Sequence, residues 1–425
     1  MTAAGDRLLA RLPLVAAYVL MPLAVLAGRL AGRPEFSRSF GPQGLAPWLA
    51  LAGLALLVCL GRDILARRRQ ARPAWVGLIP AAAAAAAVYL LLRLFGPALS
   101  QAQNLAPLLD ELRLPALALF AAAWAWNFGT PRREDLARLG AILGAILVLD
   151  FLLTAIMARQ VVLGGGFLLG GGQASSDTLA FLLCLALSAT LDRSEARIEV
   201  RPEPAFEISG PGGAGTRRSG LARWLILAGL FASFSRSGLL AAGALILFLE
   251  RGPLQERLAL FCACILGIWM SLALPLARTN GGGGELGLAW HLTAVMEVLR
   301  QEPGAWLLGL PLGEPVALAM PDLGGLDWDP EAAGLAVSVF DIPSSWLRLL
   351  AGFGAGGPGL VLAGLLACAL HGRSRFGFGL LLATLAAAAL TPALHTPASA
   401  GALALACALA WQAPPEQVRS APDQT

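Results

Sequence analysis

Arg236 stands near the centre of an apolar run, Leu221–Leu249, whose other cation, Arg223, lies close to its start. It is flanked by Ser233, Ser235 and Ser237 in the stretch "LFASFSRSGLLAAG" (Leu230–Gly243). A guanidinium is permanently charged, and its planar fork matches the oxygens of phosphate or diphosphate. At the centre of a bilayer such a charge costs ~2.5–3.5 kcal/mol on insertion scales. Two readings of Arg236 follow. It is an anion-binding group facing water, or it pairs with a carboxylate, Asp150 being the candidate, and ties helices together. The serines suit a turn, where hydroxyls satisfy backbone groups, and Gly238 permits close packing. The thiols carry no comparable signal. Cys59, Cys184, Cys262, Cys264, Cys368 and Cys407 all fall in apolar runs, without CxxC or Cys/His metal spacing, and read as small hydrophobes.

The elements that must position Arg236 are membrane helices. The chain is 57% hydrophobic and 14% charged, against roughly 45–50% and ~25% in soluble domains. Several apolar runs approach or exceed the ~18–20 residues that cross a bilayer, and they lack the in/out alternation of a barrel strand. The sequence therefore predicts an all-α integral membrane protein. Spans fall at about 8–30, 44–61, 74–97, 114–129, 139–157, 175–191, 222–234, 237–249, 256–277, 346–370, 376–392 and 399–412. Of these twelve, the seventh and eighth form a half-helix hairpin. The run 221–249 is too long for one ordinary span, and two helices of ~13 residues reach about 20 Å each. Their turn, "SFSRSG", lies below the outer surface and opens to a water-filled cavity with Arg236 at its floor.

Loop charge sets the orientation. "RDILARRRQAR" (Arg62–Arg72), "PRREDLAR" (Pro131–Arg138), "ERGPLQER" (Glu250–Arg257) and "HGRSR" (His371–Arg375) all fall on one side, which is cytoplasmic, as are both termini. The net charge of +4 thus reports topology and not nucleic acid. No cleavable signal peptide is read, because Arg29 and Arg33 follow the first run where small residues should stand. The chain divides into helices one to nine (1–277), a large outer loop (278–345), helices ten to twelve (346–412) and a tail (413–425). The segment 192–221, with "RPEPAFEISGPGGAGTRRSG", and the tail read as flexible. The large loop opens Gly-rich ("TNGGGGELG"), continues as an amphipathic helix ("LAWHLTAVMEVLRQ") and turns at Pro303. Ordered loops beside a rigid scaffold are where function tends to sit.

"FSRSGLLAAGAL" resembles the Ser-Arg-(Ser/Thr/Gly) turn between half-helices in the O-antigen ligase and polysaccharide polymerase superfamily. "RQVVLGGGFLLGGGQASSDTLAFLL" is similar to that family's upstream Arg, Gly-rich outer loop and "N-x-LA" helix start, with Asp177 where Asn is usual. Arg159 and Gly170 also fit an R-x10-G spacing. "LTAVMEVLRQEPGAWLLGLPLG" resembles the amphipathic helix and Pro-rich turn, and "PSSWLRLLAGFGAGG" (Pro343–Gly357) aligns with the loop's end. The likeness covers roughly 158–357. Two departures matter. Pro343 and Ser344 stand where ligases have His and Asn. The Arg expected before the amphipathic helix is replaced by Glu285–Gly287, with Arg278 nearest. These favour a polymerase over a ligase.

The resemblance implies a GT-C-like membrane glycosyltransferase of the bacterial inner membrane, independent of metal or other cofactor. Its donor is a glycan on undecaprenyl diphosphate. The acceptor is a second lipid-linked glycan or, for a ligase, a lipid A–core sugar. Polysaccharide export and chain-length proteins are expected partners, with membrane lipids around the chain. Diphosphate is a good leaving group, so cations that stabilise its developing charge can carry most of the catalysis. The implied catalytic residues are Arg236 and Arg159 as clamps, Arg278 as a further cation, and Asp341 orienting the acceptor hydroxyl. Ser235, Arg300, His291, Ser344 and Ser345 are the implied substrate contacts. Bland readings stand beside several. Arg300 suits a helix C-terminus by charge alone. His291 suits a packed helix face, Arg348 a snorkelling helix end, and Trp290, Trp306, Trp328 and Trp346 a membrane interface. A lipid or polysaccharide transporter and a non-catalytic subunit are the rival classes. A transporter would show internal repeats and paired broken helices; the sequence has one such pair and no repeat.

Overall fold

The computed structural model describes residues 3–31, 33–65, 113–158, 173–191, 214–273, 284–310, 339, 342–372 and 374–411. Among them the regular structure is entirely helical. In chain order the helices are α1 (Ala3–Val15), α2 (Met21–Leu30), α3 (Pro34–Phe40), α4 (Ala46–Leu65), α5 (Arg113–Phe128), α6 (Arg133–Ala158), α7 (Gln173–Thr190) and α8 (Ala214–Ser233). Then follow α9 (Arg236–Leu249), α10 (Leu254–Ala273), α11 (Gly284–Gln301), α12 (Ala305–Leu308), α13 (Ser345–Phe353), α14 (Gly356–Gly372), α15 (Arg375–Leu390) and α16 (Pro397–Ala410). A π-helical turn, Ala16–Leu20, joins α1 to α2.

Among the described residues, three stretches, Arg7–Gly28, Arg133–Ile156 and Leu254–Ser271, are long and apolar enough to cross a membrane, and seven shorter apolar helices accompany them. Leu57, Ile156, Trp224, Phe248 and Trp269 are each more than half exposed. Such a rim of large apolar side chains suits lipid, not water. The described residues are thus helical, with apolar helices that suit a membrane. The expected span 74–97, most of the loop 192–221 and the tail lie outside the described residues.

Helix ends follow local chemistry. Ser235, Ser344 and Ser374 cap α9, α13 and α15, each hydroxyl accepting the amide three residues on. Helix α6 starts six residues before the expected 139. "RRED" reads as loop by polarity, yet Glu134 and Asp135 in a first turn favour a helix N-terminus. Helix α8 likewise begins at Ala214, inside the stretch expected to be flexible up to 221. The expected single span 346–370 is two helices. Gly354, at φ 62°, breaks it, because a Cβ there would lie 2.5 Å from the carbonyl of Leu307. The break lets α12 close on α13, with Ala355 N–H donating to the Trp306 carbonyl at 2.7 Å.

Helix α7 is the axis of the fold. Every residue from Thr178 to Ala189 is buried, by α6, α8, α9, α15 and α16. Small residues allow the close crossings: a Cβ on Gly229 of α8 would lie 2.5 Å from Gly144 Cα of α6.

Two registers on α7 define the path of α8 and α9. Along α8, Ile226 and Ala186 meet beside Gly140, and Ser233 meets Ser176, so the chain runs against α7. Along α9, Ser235 meets Asp177, Gly238 meets Cys184, and Leu245 lies with Ser188 beside Gly379, so it runs with α7. The chain therefore reverses at Phe234–Ser235, at the level where α7 begins. The two legs meet each other little and share α7 as their common support.

Candidate functional site

The reversal is built from residues that must leave the helix. Ser233 ends α8 with its hydroxyl on the Leu230 carbonyl at 2.7 Å. Phe234 follows at φ 46°, the one non-glycine residue with positive φ among the described residues. That conformation costs an L-residue roughly 1–2 kcal/mol. Ser235 then restarts the helix. Its Oγ accepts from the Gly238 amide at 3.1 Å and donates to Asp177 Oδ1 at 2.6 Å. Ser237 Oγ lies 3.0 Å from Ser235 Oγ and donates to the same Asp177 oxygen at 3.3 Å. All three serines are buried.

Arg236 is the first residue of α9 and is half-buried. Its Nε donates to Ser271 Oγ and its Nη2 to the Ser271 carbonyl, both at 2.9 Å. The Ser271 hydroxyl donates onward to Ile268, so its lone pairs face the guanidinium. Ser271 lies in the last turn of α10, where carbonyls lack helical partners. The site thus joins the starts of α7 and α9 to the end of α10. Chemically it offers one fixed cation, a cluster of hydroxyls and one carboxylate inside an apolar bundle. Asp177 already places negative charge beside the N-terminus of α9. An anion approaching that helix end would meet the Asp177 carboxylate as well as the Arg236 guanidinium. Asp150, the alternative partner for Arg236, is buried on α6, six residues beyond the Gly144 crossing.

The other sequence candidates separate. Ser235 and Arg236 are together. Arg159, Arg278 and Asp341 lie outside the described residues. Arg300 is on the surface of α11, its side chain 82% exposed and 3.8 Å from Glu297. A pair that exposed is worth little. His291 is half-buried on the face of α11 that carries Val295 and Leu299 inward. Ser344 and Ser345 bond the backbone around them. Ser344 caps α13 by accepting from the Leu347 amide at 3.3 Å. Ser345 is fully buried, donates to the Thr391 carbonyl at 2.9 Å and accepts from the Leu394 amide at 3.1 Å. Both serve the fold, stitching α13 to the α15–α16 turn. Arg348 is buried too, and does not snorkel.

Sequence reasoning gave no role to Ser176 or Ser271. Ser176 Oγ donates to the Ser233 carbonyl at 3.0 Å. Both are single serines in apolar helices, a pattern that carries no signal until the partner is in place. Asp177 did carry one: an acid near the start of an apolar helix. No protein-family model matches the chain, and no curated protein matches its sequence significantly.

Proposed function

We propose that the chain polymerises surface polysaccharide, as a membrane glycosyltransferase drawing on an undecaprenyl-diphosphate-linked glycan at the periplasmic face. The observation that carries this reading is Arg236 at the reversal of α8 and α9. Its guanidinium is held in a bidentate grip by Ser271 at 2.9 Å, so it meets charge without a reorganisation cost.

In this reading the acceptor hydroxyl oxygen attacks the anomeric carbon of the donor. The carbon–oxygen bond to diphosphate breaks, and the electron pair leaves with the lipid diphosphate. Arg236 stabilises the charge that gathers on the leaving oxygens, with Arg159 as the second clamp. The proton of the acceptor leaves to an ionised carboxylate of the large outer loop or to water. Twelve spans in an inner membrane, a GT-C-like arrangement and cytoplasmic termini belong to the same proposal.

The test is the surface glycan of a host carrying Arg236→Ala. A glycan stopped at one repeat unit, with protein at normal level, supports polymerisation. Long glycan stranded on its carrier supports ligation instead. Unchanged glycan overturns both and returns the transporter and subunit readings. Orientation has its own test. In a cysteine-free background, an impermeant thiol reagent should label Gly324→Cys from outside and leave Gly212→Cys unlabelled.

A further inference from the structure

We infer that Asp177 is the positioning residue that aims Arg236. The inference rests on the reading of Arg236 as the diphosphate cation. A non-glycine residue at positive φ persists only where its surroundings over-determine it. For Phe234 those surroundings come from two adjacent residues of α7. Before the strained residue, Ser176 holds the Ser233 carbonyl at 3.0 Å. After it, Asp177 Oδ1 takes the hydroxyls of Ser235 at 2.6 Å and Ser237 at 3.3 Å. The α7 start therefore clasps both sides of the turn.

A serine hydroxyl has one proton. The Ser235 proton goes to Asp177, which directs the oxygen lone pairs at the Gly238 amide. Clasp and helix cap are one arrangement. The short Ser235–Asp177 distance is that of a bond to a charged acceptor. Without the acceptor, the Ser235 hydroxyl turns to another partner and the first turn of α9 loses its cap. Arg236 is the first residue of that turn, so its approach to Ser271 loosens with it. Asp177 acts on Arg236 through Ser235 and Ser237.

An amide oxygen accepts these hydroxyl protons as a carboxylate does, whereas leucine of similar size accepts none. Full-length protein in nanodiscs is compared as wild type, Asp177→Asn, Asp177→Leu and Arg236→Ala. Two quantities are read: hydrogen exchange across the segment 230–243, and the Kd for undecaprenyl diphosphate alone. Asp177→Leu should speed exchange at the Gly238 and Leu239 amides by about tenfold and weaken Kd by about tenfold, as expected for losing a hydrogen bond to a charged group. Asp177→Asn should lose clearly less than Asp177→Leu in both, since its oxygen still accepts, though without the charge that strengthens the bond. Wild-type exchange and Kd in Asp177→Leu would overturn the inference. So would Asp177→Asn failing as badly as Asp177→Leu, because the charge itself would then matter. If Asp177→Leu does not fold, Ser237→Ala removes one of the two Asp177 bonds while leaving the Ser235 cap in place, and must shift both quantities in the same direction. Should Arg236→Ala bind undecaprenyl diphosphate as tightly as wild type, the functional reading fails, while the exchange data still decide the role of Asp177.

Discussion

The two ends of helix α9 hold arginines in opposite ways. At its C-terminal end, Arg257 donates to the Leu247 carbonyl and Arg375 to the Leu249 carbonyl. Arg223 meets Glu250 at 2.5 Å just beyond. All three cations sit where a helix dipole wants them, Arg257 and Arg375 on carbonyls that would otherwise lack partners and Arg223 on the carboxylate of the C-cap residue. At its N-terminal end Arg236 sits where the dipole of α9 opposes it, next to a strained residue. The end of another helix, α10, supplies a carbonyl to it. The difference teaches how to weigh cations in a membrane bundle. Those at the base are explained by the helix they cap. The one at the apex is not explained by its own helix, and the proposed function rests on that contrast.

Mutation should separate the ends. Arg236→Ala is expected to lower glycan transfer by about 100-fold or more, the scale of losing a pre-organised charge at a leaving group. Its abundance should match wild type on a membrane blot. Equal loss of protein would erase the contrast between apex and base.

Gly238→Val should disturb the apex through packing. A Cβ at Gly238 would fall 2.5 Å from Ala180 Cβ on the buried axis. Overpacking of this kind costs about 1–3 kcal/mol. Thermal unfolding in detergent should show a lower Tm, with transfer per folded molecule also reduced. A change in activity at constant Tm would locate the effect in the turn alone.

The base should answer in stability only. Arg257→Ala removes a cation from the C-terminus of α9 and should cost about 1 kcal/mol. Transfer per folded molecule should equal that of wild type. A selective loss of activity would show that the base, too, is part of the site.

The smallest expected effect is a pH slope. Burial raises the Glu250 carboxyl above its ordinary value, more than Arg223 and Arg257 lower it. A folded pKa above the unfolded one means that this stabilisation is complete below the unfolded value. It is lost as pH rises through the folded value. The Tm should therefore fall as pH rises from about 4.5, the ordinary value, through the raised one. Glu250→Gln should flatten that slope. An unchanged slope would assign the pH dependence to other groups.

The sequence by itself determined the all-helical class and several of the helices, and the place where the chain turns back. Long apolar runs leave the backbone only itself to bond with. So spans expected at 114–129 and 376–392 appear as Arg113–Phe128 and Arg375–Leu390. The serine-flanked arginine located the reversal for a local reason, since a charge and three hydroxyls suit a turn better than a helix interior. Only the tertiary structure decided what those groups touch. Ser271 is 35 residues from Arg236, and Asp177 is 58 from Ser235. Ser344 and Ser345, polar and beside an expected outer loop, turned inward to bond carbonyls of the α15 end, 44 and 46 residues away. Hydrogen bonding is short-ranged and directional. A serine's partner is therefore set by how helices pack, and helix packing here depends on close crossings such as Gly144 with Gly229 that no local pattern of residues states.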